Sequence, residues 1–177
     1  MALPTGESGP DDPVAAPRGP AGGRRERSAA RLAAVQALYQ MEIASRGADS
    51  VIREFVDHRF EAGEDDVVSG AADDAFFAEI VRGVAEGQGD VDPAIQAHLA
   101  TNWRLSRLDS ILRAILRAGA FEIWARPDVP ARVAIDEYVD VGHAFFEGEE
   151  PGVINGVLDA LARERRPEEF AGARDGR

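Results

Sequence analysis

The chain contains no cysteine, so disulfide bonds, thiolate zinc sites and cysteine nucleophiles are all excluded. Its three histidines, His58, His98 and His143, are too far apart in the sequence to indicate a metal cluster. No apolar run approaches the roughly 20 residues that cross a bilayer, and the N-terminus lacks the pattern of a secretory signal. These absences predict a cytoplasmic protein that has no metal, no other cofactor and no membrane partner.

Motifs of catalysis and nucleotide binding are also missing. No G-x-S-x-G element is present, and no grouping of Ser, His and Asp stands out. The glycine-rich stretch GVAEGQG, residues 83–89, closes a helical pattern and has no lysine, whereas a phosphate-binding loop follows a strand. The acidic pairs Asp65-Asp66 and Asp73-Asp74 lack the spacing of a calcium loop and indicate surface acidity and capping. The sequence therefore predicts a protein that is not an enzyme.

Composition divides the chain into a body and two tails. Residues 1–23 are rich in Pro and Gly without periodic apolar positions, which predicts a disordered tail. Residues 24–166 are long enough for one domain with its own core, and residues 167–177 are predicted to be a C-terminal tail. The formal net charge is −12, and a strongly negative protein is repelled by phosphate at long range. A nucleic-acid partner would therefore have to meet a local basic patch.

Apolar residues in the body recur at spacings of three and four, while alternating β-branched runs are absent, which predicts an all-α fold of about seven helices. The first predicted helix begins at about Arg24, and the third stops near the glycines of EGQGD. Asp92 and Pro93 predict the start of a short fourth helix. Ser106 with Asp109 predicts a capping box at the start of a central, buried helix.

Positive charge is concentrated where the first predicted helix begins. Arg24, Arg25, Arg27 and Arg31 lie within its first turns, although cations at a helix N-terminus oppose the helix dipole by about 0.3–1 kcal/mol each. From the residues alone, two interpretations remain open: a solvated, fraying helix start, or a group of guanidinium side chains that binds phosphate. A second arginine group, within residues 163–166, lies at a helix end, where cations stabilise the helix.

Four motifs occur in order along the body and resemble those of a known family. They are RSAARLAAVQALYQ at residues 27–40, ILRAGAFEI at 115–123, RPDVPARVAIDE at 126–137 and INGVLDALA at 154–162. The series resembles the successive motifs of the bacterial transcription antitermination factor family NusB, over about residues 24–164. The resemblance implies an all-helical fold of two small packed helical bundles.

The resemblance also implies a function and a set of site residues. Members of the NusB family bind the boxA element of nascent RNA jointly with NusE, a small-subunit ribosomal protein, and help the transcribing RNA polymerase complex read through terminators in ribosomal RNA operons. The positions that correspond to the family's RNA-binding surface are Arg27, Arg31, Tyr39, Phe145 and Glu149, joined by Arg24 and Arg25 through proximity. Gly152 and Val153 depart from the family, because well-known members carry a basic residue and a phenylalanine there.

Two other functions remain open at this point. The net acidity and the departures at Gly152 and Val153 are compatible with a helical protein-interaction module that has lost RNA binding. A NusB-like domain also occurs as the RNA-binding arm of RNA methyltransferases, but no strand with a glycine-rich loop for a methyl donor follows the helical pattern here. If four arginines contact phosphates of single-stranded RNA, the binding constant should fall with a log–log salt slope of about −3.

Overall fold

The structure is a computed structural model in which residues 23–61 and 73–174 are described. The predicted N-terminal tail at residues 1–22 lies outside the described residues, as do residues 62–72 and 175–177. The described chain folds into helices without a β-strand, which confirms the all-α prediction. The α-helices are α1 (Arg24–Ala44), α2 (Ala48–Glu61), α3 (Asp74–His98), α4 (Ser110–Ala125), α5 (Ala131–Phe145) and α6 (Glu150–Arg165), and two 3-10 helices cover Leu105–Arg107 and Pro167–Arg174.

The helices pack as two small bundles that share one core. α1, α2 and α3 contact one another, as do α4, α5 and α6, and α4 also lies against α1 and α3. Large side chains that are fully buried fill the space between the helices, among them Phe77, Ile80, Ile115, Leu158 and Leu161. Each contributes about 1.5–3 kcal/mol by leaving water. None of the described helices combines the length and the apolar character needed to span a membrane.

Gly119 in α4 allows both α5 and α6 to pack closely against α4. A Cβ atom at Gly119 would lie 2.6 Å from Cδ1 of Leu158 on α6 and 3.3 Å from Cδ2 of Tyr138 on α5. Both neighbours are fully buried, so the close-packed interior leaves a larger residue no room. This close packing holds the hydroxyl of Tyr138 next to Glu122 of α4, 2.8 Å from its carboxylate.

The structure corrects the prediction that two helices occupy residues 74–98. α3 continues through Gly87, Gly89 and Pro93, although glycine and proline both disfavour a helix interior. One face of α3 is buried against other helices through Phe76, Phe77, Ile80, Val81, Val84, Val91 and Ile95. Burial of that continuous face outweighs the local cost, and the described chain has six α-helices where about seven were predicted.

Asp92, which was predicted to cap a new helix, instead holds α3 against α4. Its two carboxylate oxygens accept hydrogen bonds from Nε and Nη2 of Arg117, each at 2.8 Å. On the same side of α4, Nε of Arg113 donates to Glu42 of α1 at 3.0 Å. The arginine face of the central helix is therefore ion-paired to two neighbouring helices.

The N-cap of α4 lies three residues beyond the predicted capping residue, Ser106. The chain first forms the 3-10 helix Leu105–Arg107, and Asp109 then occupies the N-cap. Its carboxylate accepts hydrogen bonds from the backbone N–H groups of Ile111 and Leu112, at 2.8 and 3.4 Å. A negative charge at this position also favours the helix dipole.

We expect Asp109→Ala to lower the free energy of unfolding by about 1 kcal/mol, because the first-turn N–H groups of α4 lose their acceptor. Asp109→Asn keeps a side-chain oxygen and should lose less. Ser106→Ala, at the exposed residue predicted from sequence, should change the value by less than about 0.5 kcal/mol. Urea unfolding followed by circular dichroism measures all three, and a larger loss for Ser106→Ala than for Asp109→Ala would contradict the cap assigned here.

The chain beyond α6 belongs to the folded body, which corrects the predicted boundary at residue 166. Residues 167–174 form a 3-10 helix, and the ring of Phe170 is buried in the core. The carboxylate of Glu169 accepts a hydrogen bond from the backbone N–H of Ala131, at the start of α5, at 2.7 Å. This segment showed no helical periodicity, so its packing could not be predicted from its apolar pattern.

Candidate nucleic-acid interface

The predicted basic cluster lies on the first two turns of α1, and hydrogen bonds order the start of this helix. The backbone N–H of Gly23 donates to the carboxylate of Glu26 at 2.9 Å. The carbonyl of Glu26 accepts from the backbone N–H of Asp73 at 3.2 Å, which joins α1 to the start of α3. Arg24 and Arg25 are exposed on this ordered end. The geometry therefore favours an ordered presentation of the arginines over a fraying helix start.

Two of the predicted arginines, Arg25 and Arg27, form no ion pair with a described residue, and Arg24 forms only a long one. The side chain of Arg24 is 91% exposed, and its Nε lies 3.8 Å from Glu137 of α5. Arg25 is exposed and forms no ion pair within the described part of the chain. The guanidinium of Arg27 lies 5.6 Å from the ring centre of Phe76, and its buried Nε has no hydrogen-bond partner among the described residues. These guanidinium groups can bind an anionic ligand.

Arg31 departs from its expected place on the RNA-facing surface, because the structure buries it. Its side chain is 3% exposed, and it donates to both oxygens of Glu122 on α4, from Nε at 3.0 Å and from Nη2 at 2.6 Å. Glu137 lies 3.5 Å from Nη1. Burial opposes the charge, but the hydrogen bond and the negative charge of Glu122 outweigh it and raise the pKa of Arg31 above its ordinary value. The buried Arg31 side chain therefore holds α1 against α4 beneath the exposed arginines.

Glu122 and Glu137 connect three helices beneath the exposed arginines. The hydroxyl of Tyr138 donates to Glu122 at 2.8 Å, and the hydroxyl of Ser28 on α1 donates to Glu137 at 2.6 Å. Complete burial, followed by the negative charge of Glu122, raises the pKa of Tyr138 well above its ordinary value. The network fixes α1 against α4 and α5, and so fixes the direction in which Arg24 and Arg27 project.

Phe76 is surrounded by three guanidinium groups, of which two are neutralised. The centres of the Arg31 and Arg126 guanidinium groups lie 5.2 and 5.0 Å from the ring centre, alongside that of Arg27. Arg126 donates twice to Asp128 at 2.8 Å and once to Glu79 at 2.7 Å. The hydrogen bond from Arg126 lowers the pKa of Asp128 to about 2. Within this group, Arg27 forms no ion pair with a described residue and lies on a preformed stacking surface, and its charge also helps to lower the pKa of Asp128.

The exposed arginines border a cavity of about 400 Å³ between α1 and α5, which we call the α1–α5 cavity. Its lining residues are Arg24, Arg27, Arg31, Asp128, Val129, Pro130, Val133, Asp136, Glu137 and Asp140. The cavity is basic on the α1 side and acidic on the α5 side. No group of three or more potential metal ligands occurs in the described ranges.

The other predicted site residues lie outside this cavity. Tyr39 is 38% exposed on α1, 15 residues after Arg24, which places it about 22 Å along the helix. Phe145, the last residue of α5, is 37% exposed, while its neighbour Phe146 packs against the core. Glu149 is exposed at the residue before α6. The structure thus brings Arg24 and Arg27 together with α5, and leaves Tyr39, Phe145 and Glu149 as separate exposed positions.

Sequence reasoning missed the two glutamates on which the site is built. Glu122 is a single acid within the apolar run of α4, and this pattern indicates a buried charge with a partner. Glu137 ends the motif RPDVPARVAIDE, but nothing in its spacing relates it to Ser28 or Arg31, which lie more than 100 residues earlier. Only the packing of α1 across α4 and α5 brings these groups together.

Comparison with known proteins agrees with the motifs and the fold. The family model described as "NusB family" matches residues 28–163. The chain is 59% identical over 146 residues to a transcription antitermination protein NusB of Maricaulis maris, covering 82% of this chain and 91% of that protein. It is 56% identical over 140 residues to the protein of that name from Caulobacter vibrioides, covering 79% and 94%.

Solved structures share the fold. A structure of T. maritima NusB superposes with a TM-score of 0.68 at 26% identity, covering 84% of this chain and 98% of that one. A NusB-like chain in a crystal structure of antitermination factors NusB and NusE in complex with double-stranded RNA has a TM-score of 0.65 at 21% identity, covering 80% and 99%. The ordered motifs, the helical architecture and these matches lead to one conclusion: the chain belongs to the NusB family of transcription antitermination factors.

Proposed function

We propose that this chain binds boxA-type single-stranded RNA together with NusE and helps the transcribing RNA polymerase complex read through terminators in ribosomal RNA operons, in the cytoplasm. The observation that carries the proposal is the exposed end of α1, where Arg25 and Arg27 form no ion pair with a described residue and the 91% exposed Arg24 has only Glu137 at 3.8 Å. The antitermination role named for the Maricaulis and Caulobacter relatives supports it. So does the fold shared with a protein seen in complex with NusE and RNA.

The charge distribution makes the start of α1 the favoured surface for RNA. The chain as a whole carries a formal net charge of −12, which disfavours non-specific binding. Guanidinium groups at the α1 start can donate paired hydrogen bonds to phosphate oxygens. Because Arg31 is occupied by Glu122, three contacts are expected here, where the sequence predicted four.

Tyr39, Phe145 and Glu149 enter the proposal as outer contacts. The exposed rings of Tyr39 and Phe145 are suited to stacking on unpaired bases, which is the usual way that proteins hold single-stranded RNA. The exposed carboxylate of Glu149 can accept hydrogen bonds from base amino groups. NusE would supply further RNA contacts, so that specificity depends on both proteins.

Three phosphate contacts predict how the binding constant for a boxA-type RNA depends on salt. The logarithm of the binding constant should fall with the logarithm of the salt concentration with a slope of about −2, because each contact to a single strand contributes about −0.7. The triple substitution Arg24→Ala, Arg25→Ala and Arg27→Ala should bring the slope close to zero and weaken binding at low salt. Titrations of the RNA across a range of salt concentrations, with and without NusE, measure both quantities.

The matched control for this experiment replaces Arg53, Arg104 and Arg107 by alanine. These arginines are also exposed, and their loss changes the net charge by the same amount, so a general electrostatic effect would appear in both triple variants. A flat slope in the unmutated protein, or no binding even with NusE present, would contradict the proposal. The helical protein-interaction module would then be the better description.

A further inference from the structure

The acidic wall of the α1–α5 cavity has no evident structural purpose. Asp136 and Asp140 are exposed and line the cavity from α5, and neither forms an ion pair or hydrogen bond with another described residue. They are four residues apart, a spacing at which like charges on a helix repel. A negative charge in the first turn of α5 would favour the helix dipole, but both residues lie beyond that turn. Folding alone does not explain these carboxylates.

The lining of the cavity also includes apolar side chains. Val133 is 45% exposed on the first turn of α5, and Pro130 at the N-cap of α5 is also exposed. The volume of about 400 Å³ lies in the range of sites that hold small organic groups. A ligand matching this cavity would have an anionic part, a flat apolar face and hydrogen-bond donors on the edge away from the anion.

We propose that the α1–α5 cavity holds one unstacked base of the bound RNA and selects bases that carry an exocyclic amino group. This inference rests on the proposed RNA-binding function and deepens it. Arg24 and Arg27 hold the adjoining phosphates, the base lies over Val133, and Asp136 and Asp140 accept hydrogen bonds from its amino edge. Guanine, cytosine and adenine each have such an amino group, whereas uracil presents carbonyl oxygens that the carboxylates repel.

The opposed charges also set the orientation of the strand. Carboxylates on α5 repel phosphate, while guanidinium groups on α1 attract it, so the RNA backbone lies on the α1 side and the base points towards α5. Glu137 is unavailable for base contacts, because it accepts from Ser28 and lies 3.5 Å from Arg31. Base selection is therefore assigned to Asp136 and Asp140, which have no such partners among the described residues.

The test uses a boxA-type RNA and a series in which each base that carries an amino group is replaced singly by uracil. With the unmutated protein, one position in the series should weaken binding by about tenfold or more, which is the usual discrimination of a well-formed base contact. The double variant Asp136→Asn/Asp140→Asn should lose this discrimination, because each amide adds donors that can pair with uracil oxygens.

The matched control is Glu86→Gln/Asp90→Asn, which removes two exposed acidic charges on α3, away from the cavity. It should raise RNA affinity slightly through net charge and leave the discrimination at the sensitive position unchanged. If the RNA binds with the expected salt slope but no position shows the uracil penalty, or if Asp136→Asn/Asp140→Asn retains it, the base pocket is overturned while the proposed function stands. Absence of salt-dependent RNA binding would overturn both.

Discussion

Replacing Arg31 by methionine should lower the free energy of unfolding by about 3–5 kcal/mol, because the carboxylate of Glu122 would remain buried without its countercharge. Arg31 and Glu122 are 3% and 0% exposed and are joined by two short hydrogen bonds. The Tyr138 hydroxyl alone cannot offset the charge left behind. Urea unfolding at neutral pH, followed by circular dichroism, gives the change directly.

Two further variants separate the buried pair from a simple loss of charge. Arg31→Met/Glu122→Gln should be less destabilised than Arg31→Met, because the double variant leaves no uncompensated carboxylate. Arg25→Met, on the exposed surface of the same helix, should change stability by less than about 0.5 kcal/mol. A loss below 1 kcal/mol for Arg31→Met would show that the ion pair is not formed in solution.

The same variant tests whether Arg31 contacts RNA. At a temperature at which Arg31→Met remains folded, its log–log salt slope for a boxA-type RNA should equal that of the unmutated protein, because a buried guanidinium releases no phosphate counterion. A flatter slope would return Arg31 to the RNA-facing surface that the sequence predicted.

Arg166→Met should lower the free energy of unfolding by about 3–4 kcal/mol, since four backbone carbonyls would lose a donor at a cost of about 1 kcal/mol each. Arg166 is buried and donates to the carbonyls of Ile123, Val129 and Arg126, with bonds of 2.8 Å from Nε, 2.7 Å from Nη1 and 2.9 Å from Nη2. Nη2 also donates to the carbonyl of Glu122 at 3.3 Å. Its guanidinium thereby holds the turn between α4 and α5, which forms one end of the α1–α5 cavity.

Neighbouring residues provide the control for Arg166. Arg165 is exposed, and its guanidinium carbon lies 4.2 Å from the ring centre of Trp124. Arg165→Met should lower the free energy of unfolding by no more than about 1 kcal/mol. Arg166→Lys keeps the charge but loses the planar fork, so most of the destabilisation should remain. Equal losses for Arg165→Met and Arg166→Met would contradict the role assigned to the buried bonds.

The differences between sequence and structure follow from packing at long range. Gly87, Gly89 and Pro93 are local helix breakers, yet α3 passes through them because its buried face continues on both sides. Asp92 suggested a cap by local rules, but Arg117, 25 residues away, takes its carboxylate. Local propensity is a small term that burial and ion pairing across helices can exceed.

The arginines show even more clearly that tertiary packing decides what local sequence cannot. In the sequence, Arg24, Arg25, Arg27 and Arg31 form one cluster on one helix. Arg24 and Arg31 are seven residues apart and lie on nearly the same face of α1. Arg24 is exposed at the end of the helix, whereas Arg31, two turns further along, meets Glu122 of α4. Arg166 likewise looked like one of three cations at a helix end, and the structure buries it. Whether an arginine is exposed or buried depends on its position relative to the neighbouring helices and on the carboxylates and carbonyls it meets there.

The sequence by itself determined the all-helical class, the membership of the NusB family and the basic start of α1, because periodicity, motif order and charge clustering are local properties of the chain. Only the tertiary structure decided that Arg31 is buried against Glu122 and that the guanidinium of Arg27 lies over the ring of Phe76. It also placed Asp136 and Asp140 in the lining of the same cavity as the arginines. These relations join residues about 50 to more than 100 positions apart. They exist because α1 packs across α3, α4 and α5, an arrangement that burial of the shared core stabilises.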